Sequence, residues 1–404
     1  MTTKQLSFSP KNINLEINLP ASKSISNRAL ILNALSYSLY EVENLSDCDD
    51  TRVMVEAFDS NGTHFDVGAA GTSMRFLTAF LAKTVGEWTI TGSVRMKNRP
   101  IRILVDALNA LGGKIEYLEK EGFPPLKIYG SGMTGGEIEL DGSVSSQYIS
   151  ALMMIAPYMI NGLKIKLRGK VISKPYIRMT QRMMEDFGVK VDFSENIIEI
   201  QPQNYHPVRY RVESDWSAAS YWYEILTFAQ SGEITLNGLQ KGSLQGDSGV
   251  AEIYRNFGIE TTYFDNYVVL KKNSELGTQN SLKLDFTNVP DLAQTVVVTC
   301  CLMNRAFHFK GLESLKIKET NRIAALIEEL KKLGYVLFEP AEGELAWDGE
   351  RCEAAEIPSI ATYDDHRMAM AFAPTALFRP IKIRHPEVVS KSYPRFWEDI
   401  SLLL

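Results

Sequence analysis

A short polar turn followed by an apolar run long enough for a helix recurs six times along the chain. The turns are Ser22-Lys23-Ser24 ahead of Ala29, Ala70-Gly71-Thr72-Ser73 ahead of Met74, and Ser143-Val144-Ser145-Ser146-Gln147 ahead of Tyr148. Then come Glu213-Ser214-Asp215 ahead of Trp216, Val289-Pro290-Asp291 ahead of Leu292, and Tyr363-Asp364-Asp365-His366 ahead of Arg367. A second, amphipathic helix is predicted after each, beginning near Asp50, Pro100, Pro175, Asp247, Thr320 and Tyr393. Three of these stop at Gly112, Gly188 and Gly334, where glycine supplies the left-handed cap, and a strand-like stretch follows. Alternating stretches such as Gly136-Glu137-Ile138-Glu139-Leu140 and Ser281-Leu282-Lys283-Leu284-Asp285 predict further strands.

The first-helix starts at Gly71, Val144, Asp215, Asp291 and Tyr363 are evenly spaced, while Ala21 to Gly71 is shorter. The first unit has lost a hairpin. Six mixed α/β units of this size predict two domains of three units each. The expected boundaries give one domain of residues 20–210 and another of residues 1–19 plus 211–404, with the active site in the cleft between them.

With 404 residues, the chain is long enough for two such domains, and its 45% hydrophobic and 23% charged content is that of a globular protein. A net charge of −6 argues against a general nucleic-acid binder, so any basic site is a local concentration. The cysteines Cys48, Cys300, Cys301 and Cys352 show no CxxC spacing and read as free thiols. The five histidines form no HExxH pattern, and no metal site is expected. The N-terminus lacks a charged-then-apolar signal, and the most apolar stretch, 149–160, is too short to span a bilayer. A cytoplasmic protein is expected, without a membrane partner, and a monomer because no heptad or apolar exposed stripe is apparent.

The turns of the two halves differ in chemistry. In the first half they carry Ser, Thr, Lys and Arg; in the second they carry Asp215, Asp291 and Asp364-Asp365. Ser22, Ser24 or Ser26 could cap the first helix, yet Lys23 and Arg28 stand where the macrodipole favours acids. Arg75, Arg322 and Arg367 repeat that conflict, which an anionic ligand at the helix starts would relieve. Each alone reads as a surface arginine; together they point to an anion site. Gly68-Ala69-Ala70-Gly71-Thr72 admits close backbone approach, and Arg95-Met96-Lys97-Asn98-Arg99-Pro100 sets three cations before a helix-opening proline. Ser145-Ser146-Gln147 offers hydroxyls and an amide to a phosphate or polyol. Lys318-Glu319-Thr320-Asn321-Arg322 packs acid and base into one turn, and Asp291 in an apolar setting needs a partner or a catalytic task.

In order and over nearly the whole chain, these stretches resemble the 5-enolpyruvylshikimate-3-phosphate synthase family. The resemblance is carried by residues 19–29, 70–75, 95–100, 141–147, 173–176, 290–291, 318–322, 364–370 and 389–394. It implies an inside-out α/β barrel in each of two domains, with six βαβαββ-type repeats and the first one shortened. It also implies transfer of the enolpyruvyl group of phosphoenolpyruvate to the 5-hydroxyl of shikimate 3-phosphate, with release of phosphate and no metal or organic cofactor. By resemblance, Lys23, Ser24, Arg28, Ser145, Ser146, Gln147, Ser173, Tyr176, Asp291 and Lys318 would bind shikimate 3-phosphate. Lys23, Gly71, Arg99, Gln147, Arg322, Arg367 and Lys391 would hold phosphoenolpyruvate, with Thr72, Arg75, Asp365 and His366 in support. Asp291 would take the hydroxyl proton, and Glu319 with Lys23 would exchange protons at the methylene carbon. Gly71 is the position the family associates with sensitivity to glyphosate.

Three positions depart from the family's pattern. Ala69 stands where Asn is usual, Ser314 where an Asn commonly meets the shikimate ligand, and Phe76 where Pro is common. Two rival readings are a sister enolpyruvyl transferase acting on UDP-N-acetylglucosamine and a non-catalytic anion-binding paralogue. The former usually carries a mobile-loop cysteine, which has no convincing counterpart here. The latter would need none of Asp291, Lys318 and Glu319.

Overall fold

The computed structural model describes residues 2–9, 12–273 and 281–403. The chain divides into two compact units, Ala21–Val212 and Met1–Pro20 together with Glu213–Leu404.

Within Ala21–Val212, two repeats are built alike. Strands His64–Asp66 and Gly86–Thr91 pair in parallel around helix Gly71–Lys83. Helix Arg102–Ala110 follows, and Ile115–Tyr117 and Leu126–Gly130 complete an antiparallel extension of the same sheet. The next repeat does the same with Gly136–Asp141, helix Ser146–Ile155, Leu163–Arg168, helix Lys174–Asp186 and the hairpin Asp192–Ser194 with Ile197–Ile200. The first repeat supplies helices Lys23–Leu35 and Asp49–Asp59 but, among the described residues, no sheet of its own.

Among the described residues the other unit has three sheets. Strand Asn12–Asn18 runs parallel to Ser231–Asn237, lending the N-terminus to the repeat that begins at helix Trp216–Phe228. Ser281–Asp285 and Ala306–Lys310 pair in parallel around helix Ala293–Leu302. Ser359–Ile360 and Ile381–Arg384 do so around helix His366–Phe372, and Thr3–Leu6 adds an antiparallel edge.

The first helix of a repeat and the second are buried differently, for a reason visible in sequence. Every residue of Ala293–Leu302 is buried, and nearly every residue of Trp216–Phe228 and Ser146–Ile155, so these helices are apolar all round. The second helices, Arg102–Ala110, Lys174–Asp186 and Arg322–Lys332, bury one stripe and leave the other in water. Gly112, Gly188 and Gly334 follow their C-termini with φ of 96°, 86° and 92°, which a Cβ would oppose. Among the described residues no helix is long and apolar enough to cross a membrane.

The inner helices are covered along most of their length, and the polar groups within them, such as Ser150 and Thr299, bond to other protein groups. Part of the chemistry singled out in the sequence, including Lys23, Gly71, Ser145, Asp291 and Asp365, sits at the starts of the inner helices, while Ser173, Tyr176 and Arg322 sit at the starts of second helices.

Candidate active site

In the unit Ala21–Val212, Ser22 caps helix Lys23–Leu35: its Oγ accepts from Ile25 N at 3.4 Å. Arg28, one turn in, points back along the helix, as long helical side chains do. Its Nη1 donates to Ser24 O at 2.9 Å, Nε to Thr180 Oγ1 at 2.7 Å and Nη2 to Ser150 Oγ at 3.1 Å. Arg28 is 2% exposed, and its guanidinium lies 5.2 Å from the ring centroid of Phe76. Burial lowers its pKa to about 10. Thr180 Oγ1 also donates to Tyr176 O at 3.0 Å, which ties Arg28 to the turn of Ser173 and Tyr176. Ser173 is itself left-handed, with φ of 53°.

A second cluster forms at the start of helix Gly71–Lys83. Arg75 Nη1 donates to Gly71 O at 2.8 Å, and the Arg75 guanidinium lies 5.8 Å from the Tyr148 ring centroid. A Cβ on Gly71 would stand 2.6 Å from Arg99 Nη1 and 2.8 Å from Arg75 Nη1. Two guanidiniums therefore converge on the missing side chain. Gln147 Nε2 donates to Thr72 Oγ1 at 3.1 Å, and Ser145 caps the helix that carries Gln147. Lys97, from the same basic run as Arg99, instead pairs with exposed Glu119 at 2.7 Å. The site thus draws one cation of that run and leaves another in solvent.

In the other unit, Asp291 lies in the turn Pro290–Leu292 with its carboxylate ringed by cations. Arg322 Nη1 approaches Oδ1 at 2.8 Å, Lys318 Nζ approaches the same oxygen at 3.8 Å, and Arg367 Nη2 approaches Oδ2 at 3.1 Å. Arg367 Nη1 also donates to Asp291 O at 3.2 Å. Burial alone would raise the Asp291 pKa; Arg367, Lys318 and Arg322 outweigh it and hold the carboxyl well below the usual carboxylate range.

Arg322 is almost wholly buried and serves three carboxylates at once. Its Nε donates to Asp365 Oδ2 at 2.7 Å, its Nη2 to Glu319 Oε2 at 2.9 Å, and its Nη1 to Asp291. Desolvation opposes its charge, yet Asp365, Glu319 and Asp291 leave its pKa raised. Asp365 also caps helix His366–Phe372 by accepting from Arg367 N at 2.9 Å. His366 is buried, its Nδ1 3.9 Å from Asp365. The preceding residues Tyr363 and Asp364 both have φ of 54°, a strained turn for side chains with a Cβ, and Lys391 Nζ donates to Asp364 O at 2.9 Å.

Several participants were not singled out in sequence. Thr180 and Ser150 hold Arg28; Tyr148 lies under Arg75 and donates from its hydroxyl to Pro100 O at 2.6 Å. Ser217 and Asp247 stand behind Arg367: Arg367 Nη2 donates to Ser217 Oγ at 3.4 Å, and Ser217 donates in turn to Asp247. Asp247 read only as the start of an amphipathic helix. The available signal was an acid in a Gln-Gly-Asp turn one repeat element away from Asp215.

The geometry is a pair of anion-suited constellations, one of which contains clustered acids. A sequence model of EPSP synthase (3-phosphoshikimate 1-carboxyvinyltransferase) matches residues 9–66 and 58–400. The chain belongs to the EPSP synthase family. It is 53% identical over 399 residues to a Bacteroides fragilis 3-phosphoshikimate 1-carboxyvinyltransferase, covering 98% of this chain and 97% of that one. A Vibrio cholerae protein of the same name is 37% identical over 96% of each chain. A solved EPSP synthase from Acinetobacter baumannii superposes with a TM-score of 0.79 at 21% identity, over 100% of this chain and 98% of the other. That likeness shows the two-domain α/β fold of EPSP synthases.

Proposed function

We propose that this member of the EPSP synthase family transfers the enolpyruvyl group of phosphoenolpyruvate to the 5-hydroxyl of shikimate 3-phosphate and releases phosphate. The observation that carries the reading is the Asp291 carboxylate held by Lys318, Arg322 and Arg367. A site for anions alone would gain nothing from an acid among its cations. A site that must also accept a proton would.

In the reaction, Glu319 with Lys23 delivers a proton to the methylene carbon of phosphoenolpyruvate. The 5-hydroxyl oxygen bonds to the adjacent carbon while its proton passes to Asp291, giving a tetrahedral adduct. The methyl group then returns its proton to Glu319 as the bond from carbon to the phosphate oxygen breaks, and the proton held by Asp291 passes to the departing phosphate, so both acids end as they began. Three cations make Asp291 a weak base in the free protein. When substrate phosphate and carboxylate groups engage Arg322, Arg367 and Lys318, their hold on Asp291 weakens and its basicity rises.

Shikimate 3-phosphate is held by Lys23, Ser24, Arg28, Ser145, Ser146, Gln147, Ser173 and Tyr176, with Asp291 and Lys318. Phosphoenolpyruvate is held by Lys23, Gly71, Arg99, Gln147, Arg322, Arg367 and Lys391. The two substrates must lie side by side. Holding them aligned can lower the barrier by on the order of 7–11 kcal/mol in favourable cases. The same reading takes the protein as cytoplasmic and as a monomer, and light scattering checks the monomer.

Phosphate release from phosphoenolpyruvate tests the function, with shikimate 3-phosphate, UDP-N-acetylglucosamine or no acceptor, for wild type and Asp291→Ala. Release that requires shikimate 3-phosphate and collapses in the variant is expected. Release only with the nucleotide sugar would transfer the chain to the sister activity. Binding of shikimate 3-phosphate without release by folded wild type would leave an anion-binding paralogue.

A further inference from the structure

Asp247 is 3% exposed and lies in the turn Gly246–Gly249, outside every stretch that carries the family resemblance. One carboxylate oxygen accepts from Ser217 Oγ, and among the described residues the other has no hydrogen-bond partner. Burial and the nearby Asp291 carboxylate push its pKa up to about 6, against the pull of Arg367 and Ser217, and Asp215 adds to the rise. A buried acid beside other acids is unfavourable unless it has a task.

Ser217 has one hydroxyl proton, and it points to Asp247. The lone pairs of Ser217 Oγ therefore face Arg367 Nη2, which donates to it at 3.4 Å and reaches Asp291 Oδ2 at 3.1 Å. Without Asp247 the hydroxyl is free to rotate and turn its hydrogen toward the guanidinium. We propose that Asp247 is a positioning residue for Arg367: by taking the Ser217 proton it fixes Ser217 as an acceptor and holds the guanidinium between Ser217 and Asp291. This rests on the reading that Arg367 holds phosphoenolpyruvate, so the affected substrate is phosphoenolpyruvate and not shikimate 3-phosphate.

Steady-state kinetics on the full chain test it, with wild type, Asp247→Ala, Asp247→Asn, Ser217→Ala and the double alanine variant. Asp247→Ala should raise KM for phosphoenolpyruvate about tenfold, the scale of one hydrogen bond to a charged group, while KM for shikimate 3-phosphate moves much less. Asp247→Asn keeps a side-chain carbonyl for Ser217 and should recover most of that loss. Ser217→Ala should match Asp247→Ala, and the double variant should be no worse than either, since both act through one contact. Unchanged KM for phosphoenolpyruvate, equal damage to both substrates, no recovery in Asp247→Asn, or additive losses would each overturn the proposal. Should Asp247→Ala fail to fold, Ser217→Ala decides by the same KM comparison. Wild type that transfers nothing would overturn the proposed function, and this inference with it; active wild type with an indifferent Asp247 overturns the inference alone.

Discussion

Gly71→Ala should separate stability from function. Gly71 is the first residue of helix Gly71–Lys83 and has ordinary helical handedness, so alanine meets no backbone obstacle there. Alanine favours a helix over glycine by about 0.5–1 kcal/mol, which would raise Tm by roughly 1–4 °C in a unit of this size. The added Cβ would nonetheless lie 2.6 Å from Arg99 Nη1, 2.8 Å from Arg75 Nη1 and 3.1 Å from Arg99 Cζ. Carbon contacts are comfortable at about 3.5 Å or more, so the Arg99 head must retreat by about 1 Å. These are the far ends of flexible side chains, and they can move without unfolding the helix. A misplacement of about 1 Å in a substrate-positioning group can lower the rate by as much as 10²-fold, or about 2.7 kcal/mol. The expected result is equal or higher Tm with KM for phosphoenolpyruvate raised about 10–100-fold. Glyphosate should compete with phosphoenolpyruvate in wild type and lose potency in the variant. Thermal unfolding, initial-rate kinetics and inhibition at varied phosphoenolpyruvate are the assays. Kinetics and inhibition identical to wild type would refute the placement of Arg99 over Gly71, and a marked fall in Tm would refute the claim that its neighbours can yield.

Three further expectations follow from buried charges. Glu224 is fully buried and burial lifts its pKa well above the usual range, so the folded state keeps a proton that the unfolded chain releases above about pH 4.3. Its contribution to stability therefore falls as pH rises from there, by up to about 1.4 kcal/mol per pH unit; Glu224→Gln should gain Tm over wild type progressively from pH 5 to 8, and parallel curves would contradict this. Asp291→Asn should lose about 10²–10⁴ in kcat. Because the folded Asp291 pKa is depressed, its stabilisation is present above the unfolded value near 3.9 and is lost as pH falls through the folded one, so the Tm deficit of the variant should narrow below about pH 4; a deficit independent of pH would contradict the charge argument. Asp365→Ala removes the 2.7 Å pair to buried Arg322 and the cap on Arg367 N, and should destabilise by about 3–5 kcal/mol in a denaturant titration; a change under about 1 kcal/mol would show that Glu319 and Asp291 suffice for Arg322.

The sequence by itself determined the repeat. Six polar turns before apolar runs, with glycine stops after the amphipathic partners, specify local structure because helix starts, helix stops and faces are written in neighbouring residues. The missing hairpin of the first unit was legible from spacing alone. So was the setting of Asp291, whose turn before an apolar run the structure places at the start of helix Ala293–Leu302. Tertiary structure decided which groups meet. Arg28 reads in sequence as a cation waiting for an anion, yet Thr180, Ser150 and the Phe76 ring receive it across helices far apart in the chain. Asp247 reads as a helix start, yet it stands behind Ser217 and Arg367. Periodicity fixes what a residue shows to its own helix. It carries no information on which distant side chain will lie within 3 Å, because that depends on how separate helices pack, and packing is set by the whole chain at once.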